Sequence, residues 1–131
     1  MPSISHASKI YQEIGLHSQI EGASQHKLID LLFDGALIKL AKAKGYIVQN
    51  NIALKGQEIG KVIAIVTELQ TSLLPSDNNE ITANLIVLYN YIIELIVEAN
   101  ISNKTESIDE AKQLLEHLRE SWNLIPSENR F

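Results

Sequence analysis

Apolar residues recur every three or four positions along most of the chain, which is the repeat of an amphipathic α-helix. The first such segment runs from about Gln25 to Gln49, and Ser24 just before it can cap a helix N-terminus with its hydroxyl. Its predicted core face comprises Ile29, Leu32, Phe33, Ala36, Leu40, Ala43 and Ile47. The pattern therefore predicts a long first helix with one buried side.

Three further segments have the same period. The second runs from about Ile52 to Leu73 and the third from about Asn79 to Asn100, while the fourth ends before Pro126. Polar turns separate them at 75–78 and 102–105, and connections this short place successive helices antiparallel. No alternation of the β type competes with this pattern. The sequence therefore predicts an all-α fold, an antiparallel up-down four-helix bundle preceded by a short N-terminal capping segment.

The second and fourth segments each have one predicted core face. On the second segment it comprises Ile52, Ile59, Val62, Ile63, Val66, Leu69 and Leu73. On the fourth segment it comprises Ile108, Ala111, Leu115, Leu118, Trp122 and Ile125. The second segment also carries a row of small residues, Gly60, Ala64, Thr67 and Thr71. Close packing of a neighbouring helix is the favoured explanation of this row, and the floor of a groove for a foreign helix is the alternative.

The third segment differs from the others because it is apolar on two sides. Its predicted core stripe comprises Ile81, Leu85, Leu88, Ile92, Leu95, Ile96 and Ala99. A second stripe of Ile86, Ile93 and Val97 lies about 120° around the helix. Each such residue left in water forgoes up to roughly 1.5–3 kcal/mol of burial, so the helix is either central in the bundle or partly exposed for a partner. The second possibility makes these three residues candidate partner-binding residues.

Residues 1–23 are polar and only weakly periodic, and we expect a flexible segment there. Its short amphipathic part contains Ile10, Tyr11 and Ile14. Two glycines behind this part can act as hinges. The segment either packs permanently on the bundle or covers an apolar groove until a partner displaces it, so the three residues are further candidates for partner binding. We assign residues 24–126 to the bundle and 127–131 to a C-terminal tail.

Composition narrows the functional classes. The chain has 131 residues, of which 45% are apolar, and this suits one soluble domain with a substantial core. Its net charge of −5 and its lack of basic runs argue against nucleic-acid binding and against a polybasic membrane patch. No signal peptide is visible at the N-terminus. Residues 81–99 are nearly long enough to span a bilayer, but they include Glu94 and Glu98, so we expect a buried soluble helix and no membrane insertion.

No catalytic or metal-binding pattern occurs in the sequence. The chain has no cysteine, and its four histidines are scattered without the spacing of a metal-binding pair. Phosphate-binding glycine loops and the H-E-x-x-H pattern are absent as well. A phosphotransfer domain built on His117 is a weaker alternative, because no lysine or glycine follows this histidine as it does in such domains. The sequence therefore predicts a protein that is not an enzyme.

The segment Ser24–Ala36 reads S-Q-H-K-L-I-D-L-L-F-D-G-A. It resembles the A-S-P-H-K-L-I-x-x-L-F-D-G-A signature of the bacterial flagellin export chaperone family, FliS. Further matches, in the family's order, are Tyr11, Lys55–Ile59, Asn84-Leu85, Leu88–Tyr91, Ala99-Asn100 and Trp122. Gln25 in place of proline and Asn90 in place of the common aspartate are departures. The chain is thus similar to this family over nearly its whole length.

This resemblance implies a function that the residues alone do not. Members of the FliS family bind the C-terminal region of flagellin in the cytoplasm, hold it unpolymerised and help to present it to the flagellar type III export apparatus. The resemblance therefore implies a cytoplasmic chaperone with no cofactor and with flagellin as its partner. Export-apparatus components or a co-chaperone are further candidate partners. From the residues alone, a helical adaptor for another partner, or a bundle that dimerises through the second stripe, stays open.

The N-terminal segment gives a first testable prediction. If it covers a groove, Tyr11→Ala should leave the fold intact and change the affinity for the partner, because the bundle does not depend on this contact. Amide exchange of residues 8–16 should be faster than exchange in the bundle core, and faster still once the partner displaces the segment. Hydrogen-exchange mass spectrometry measures both rates. Slower exchange in the complex would show that the segment clamps the partner.

Overall fold

A computed structural model describes residues 25–73 and 80–124, which form four helices. They are α1 (Gln25–Val48), α2 (Ile52–Leu73), α3 (Glu80–Ser102) and α4 (Thr105–Leu124). These two stretches contain no strand, and the ends of the first three helices lie within about two residues of their predicted positions. The predicted all-α fold is confirmed. Ile10, Tyr11 and Ile14 lie outside the described residues, so the roles assigned to them stay predictions.

Contacts between the helices establish the topology of the bundle. Each helix packs against two others, in the order α1, α2, α3, α4 and back to α1. Asp30 near the start of α1 pairs with Arg119 near the end of α4, whereas Lys44 near the end of α1 pairs with Asp109 near the start of α4. Polar contacts of α3 with α2 and with α4 run in the same reversed order. The predicted antiparallel four-helix bundle is therefore confirmed.

Apolar side chains from all four helices fill one core. Every predicted core residue of α1 is buried except Ile47, which is partly buried. Tyr89 of α3 is completely buried, although the sequence pattern placed it in neither stripe of that helix. Its burial raises the pKa of the phenol above the ordinary value. The other largest fully buried side chains are Phe33, Leu28, Ile29, Leu32, Leu40, Ile59, Ile65, Leu69, Ile92 and Ile96.

The prediction that Ile52 belongs to the core is wrong, because its side chain is 70% exposed. The preceding turn explains this position. The amides of Asn50 and Asn51 bond to the carbonyl oxygens of Ile47 and Tyr46, and Asn50 has a φ of 59°, so α1 ends in a left-handed cap. The Oδ1 atom of Asn51 then accepts a hydrogen bond from the amide of the third helical residue, and α2 begins at once. The first residue of α2 therefore lies at the end of the bundle, in solvent.

Lys55 joins the start of α2 to the end of α3. Its side chain is buried, and its Nζ atom donates to the carbonyl oxygen of Asn100 at 2.9 Å and to Oδ1 of Asn103 at 2.7 Å. Asn103 ends α3 with a φ of 58°, in the left-handed region that asparagine tolerates. A buried ammonium group needs such oxygen partners, because an unpaired charge is costly away from water. The contact therefore holds the α3–α4 turn against α2.

Arg119 is the centre of the polar contact between α1 and α4. Its Nε atom lies 3.0 Å from Oδ1 of Asp30, and its Nη1 atom lies 3.5 Å from Oδ1 of Asp34. Burial acts to raise the pKa of Asp30, but the hydrogen bond and charge of Arg119, with smaller contributions from Asn123 and Lys27, outweigh it. The pKa of Asp30 therefore lies below its ordinary value, and the folded state favours the carboxylate.

Asp30→Asn should lower the free energy of unfolding by about 1–2 kcal/mol at neutral pH, because it removes a charge-assisted hydrogen bond partly shielded from water. Since the folded pKa of Asp30 is depressed, its contribution is present above the unfolded pKa of about 3.9 and is lost as the pH falls through the folded value. The difference in the free energy of unfolding between the unsubstituted chain and Asp30→Asn should therefore disappear below about pH 4. Urea denaturation at a series of pH values measures it.

Asp34→Asn is the matched control. It removes the same charge from a longer contact, and the Asp34 side chain is 42% exposed against 16% for Asp30. We expect a cost of about 0.5 kcal/mol or less. Equal costs at the two positions would show that the short Arg119–Asp30 contact is not the source of the stability.

Candidate functional site

The second stripe predicted for α3 lies at the protein surface. Ile86 and Val97 are 37% and 38% exposed, and Ile93 between them is half-buried against the core. Ile101, one turn beyond Val97, is 78% exposed. We call these four residues the α3 ridge, and at 1.5 Å per residue it extends about 22 Å along the helix. The structure confirms that this stripe is at least partly exposed, whereas its role in binding a partner stays a prediction.

The α3 ridge runs along the border with α2. Asn90 lies about one turn from both Ile86 and Ile93, so it belongs to the same row of the helix surface. Its Oδ1 atom accepts a hydrogen bond from Nε2 of Gln70 on α2 at 3.0 Å. The apolar side chains of the ridge therefore lie beside the groove at which α2 and α3 meet.

The row of small residues on α2 faces solvent. Gly60, Ala64, Thr67 and Thr71 are all exposed, and a Cβ atom added at Gly60 would meet nothing within 4 Å. The favoured explanation, close packing of a neighbouring helix, is therefore wrong for the helices that the structure describes. Gln70, on the side of α2 next to this row, makes the contact with α3 instead. The alternative explanation, that the row is the floor of a groove for a foreign helix, stays a prediction.

A shallow apolar depression occupies the C-terminal half of the α3 ridge. Its lining residues are Ile93, Glu94, Val97, Glu98, Ile101, Ser102 and Lys104. Three of the four ridge residues thus share one concave surface with two carboxylates. Within 25–73 and 80–124, no group of three or more histidine, aspartate or glutamate side chains could hold a metal ion. The depression suits an apolar side chain of another protein.

Acidic side chains border the α3 ridge on the side of α4. The hydroxyl of Tyr91 donates to Oε2 of Glu110 on α4 at 2.5 Å. This hydrogen bond, followed by desolvation and by the negative charges of Glu110, Glu98 and Glu94, raises the pKa of Tyr91. Lys104 lies 3.4 Å from Oε1 of Glu98 and offsets part of that charge. Three carboxylates therefore act on one exposed phenol beside the ridge.

The exposed apolar surface of α3 is broader than the sequence pattern predicted. Val87 and Tyr91 are exposed in addition to the ridge. The stretch Ala83–Ser102 has a mean hydropathy of 1.5, so α3 is long and apolar enough to cross a membrane, but only 28% of that stretch is buried. The expectation of a buried helix therefore holds only for the side of α3 that packs in the core. Counting apolar residues on the whole circumference of α3, including Val87, would have revealed this surface from the sequence.

His26, within the Ser24–Ala36 signature, makes a structural contact. Its ring stacks on Trp122 of α4, with the ring centroids 5.1 Å apart and the planes inclined by 18°. The stack fixes the start of α1 on the end of α4. Two sequence features that lie almost a hundred residues apart are thus parts of one contact.

Comparison with known proteins shows what the chain is similar to. The flagellar protein FliS family matches residues 7–129. The flagellar secretion chaperone FliSB of Pseudomonas aeruginosa is 40% identical over 119 residues, which are 91% of this chain and 94% of that protein. The flagellar secretion chaperone FliS of Salmonella typhimurium is 34% identical over 94% of this chain and 92% of its own. The Escherichia coli protein of the same name is also 34% identical, over 88% of this chain and 85% of that protein.

The position of the α3 ridge gives a prediction about stability. Val97→Gln should cost at most about 1 kcal/mol, because the side chain is already partly in water. The same substitution at the neighbouring Ile96, which is fully buried, should cost at least about 3 kcal/mol or prevent folding, since it removes core packing and buries an amide. Urea denaturation of the two variants measures both costs. Similar losses in the two variants would show that Val97 belongs to the core.

Proposed function

This chain belongs to the flagellar protein FliS family, and we propose on that basis that its client is flagellin. Family membership itself makes the chain a flagellar secretion chaperone whose partner is a protein of the flagellar export system. It also confirms the prediction that the chain is not an enzyme, because the family is one of chaperones. The proposal adds that the chain binds the C-terminal region of flagellin in the cytoplasm. It holds flagellin unpolymerised there and assists its export by the flagellar type III secretion apparatus.

The observation that carries this proposal is the α3 ridge. Its apolar residues lie in one row and are exposed or half-buried, although each would gain free energy if it were covered. A contiguous exposed apolar surface of this kind is typical of a protein–protein interaction site. The ridge therefore suits a chaperone that covers an apolar segment of another chain.

A disordered client segment can fold on such a surface. In this proposal the C-terminal region of flagellin is disordered in the free monomer and becomes helical when it is bound. An amphipathic helix can lay its apolar face into a groove, and about 22 Å of ridge accommodates roughly four turns. The apolar residues that the client places on the α3 ridge would then be unable to join another flagellin. This would explain how binding prevents polymerisation.

The small residues of α2 support the same mode of binding. Gly60, Ala64, Thr67 and Thr71 are exposed along the helix that neighbours the ridge. Small side chains let the backbone of a second helix come close, as they do wherever helices approach tightly. The client helix would therefore lie across α2 and α3, with its apolar residues on the ridge and its backbone near this row.

Isothermal titration calorimetry of the chain with a peptide comprising the C-terminal region of flagellin should show binding close to 1:1. The heat-capacity change should be negative, because binding buries apolar surface. Val97→Gln should weaken binding by roughly fivefold or more, as loss of a central apolar contact typically costs over 1 kcal/mol. Val48→Gln, the same substitution at an exposed valine at the end of α1, is the control and should leave the affinity unchanged.

Two results would contradict the proposal. Flagellin that lacks its C-terminal region but binds as tightly as the intact protein would place the client contact elsewhere. A chain that forms a dimer, becomes monomeric on Val97→Gln and does not bind flagellin would favour the alternative in which the α3 ridge pairs with a second copy. Sedimentation velocity distinguishes these states.

A further inference from the structure

Negative charges predominate beside the α3 ridge, although Lys104 also lines the depression. Glu94 and Glu98 line the depression together with three ridge residues, and Glu110 lies at the same border through its hydrogen bond with Tyr91. Glu98 is already engaged, because Lys104 lies 3.4 Å from one of its oxygens and Ser107 donates to the other at 3.2 Å. Glu94 makes no ion pair or hydrogen bond with any residue in the described stretches. One exposed carboxylate at the edge of the ridge is thus available to a partner.

This arrangement contrasts with the opposite side of the bundle. Between α1 and α4, Asp30 and Asp34 share Arg119, and Asp109 pairs with Lys44 at 2.8 Å. Beside the ridge, by contrast, Glu94 and Glu98 are four residues apart on one helix, a spacing at which like charges destabilise the helix. The pKa of Tyr91 is raised first by its hydrogen bond with Glu110, and the charges of Glu110, Glu98 and Glu94 add to the same effect. The fold pairs its acidic residues with cations between α1 and α4, whereas next to the exposed apolar row Glu98 is paired with Lys104 and Glu94 has no cation partner among the described residues.

We propose that the α3 ridge selects an amphipathic client helix whose apolar face is bordered by lysine or arginine, and that Glu94 pairs with those side chains. This inference rests on the proposed function, since the occupant is the client segment. Ile93, Val97 and Ile101 lie one, three and seven residues from Glu94, so a cation beside a helix seated on the ridge comes within its reach. The apolar contacts supply most of the affinity, and the charge determines which segment binds and how fast it associates.

The charge also sets the orientation of the client. Glu98 bonds to Ser107 of α4, so the acidic border is on the α4 side of the ridge, while the small residues of α2 are on the other side. A client helix with its basic residues on one flank therefore places that flank towards α4 and its opposite flank over α2. A helix with acidic residues on that flank would meet repulsion from three carboxylates.

The test titrates the full-length chain with the C-terminal flagellin peptide at several salt concentrations. Glu94→Gln should weaken binding roughly two- to fivefold at low salt, which is the range of an exposed ion pair, and should reduce the salt dependence of the affinity. Glu94→Lys should weaken binding by roughly the square of the factor found for Glu94→Gln, because an attraction is replaced by a repulsion. Glu116→Gln removes the same charge from an exposed position on α4 and should change neither quantity. Circular dichroism establishes that each variant is folded.

A second flagellin peptide, with its lysines and arginines changed to glutamine, completes a double-mutant cycle with Glu94→Gln. It should bind the unsubstituted chain and Glu94→Gln equally well, since the pairing charge is gone from one partner. If Glu94→Gln and Glu116→Gln behave alike with the first peptide, the inference is overturned while the proposed function stands. If the unsubstituted chain does not bind the first peptide, the proposed function fails and the inference fails with it.

Discussion

A helix in a four-helix bundle has two neighbours and one core, so only part of its circumference can be covered. On α3 this limit is exceeded, because apolar residues continue beyond the side that holds Ile92, Ile96 and Ala99 in the core. The bundle has no position for them, and the α3 ridge is the result. The buried side anchors α3 between α2 and α4, and the same rigid anchoring presents the ridge as a continuous surface. One side of α3 therefore stabilises the fold, and the other side forms the interaction surface.

The lysine and arginine contacts that join the helices lie away from the exposed side of α3. Arg119 and Lys44 tie α1 to α4 at both ends of these helices, and Lys55 holds the α3–α4 turn against α2. These contacts hold the helices in register without using the outer surface of α3. The bundle can therefore keep an exposed apolar row and still fold to one arrangement, because its geometry does not depend on whether that row is covered.

Much of this architecture could be predicted from the sequence, since periodicity identifies the side of a helix that is buried. The core face of α1 follows from it, whereas for the stripe of Ile86 and Val97 it leaves a central and a partly exposed position open. Periodicity does not show where the core ends, and Ile52 was misplaced because a short asparagine turn starts α2 at the edge of the bundle. It also does not show which neighbour a face meets, so the small residues of α2 were expected against a helix and lie in solvent. The partner class came from motifs, because many unrelated bundles share the same apolar spacing.

Trp122 is the only tryptophan of the chain, and it is buried at the contact of α4 with α1, stacked on His26. The α3 ridge lies on the α2 side of the bundle, away from that contact. Tryptophan emission from this protein therefore reports on the contact between α1 and α4. We expect this emission to follow unfolding of the bundle and to change little when the ridge, on the α2 side, is occupied. The chain thus carries an optical probe of its own integrity that is separate from its interaction surface.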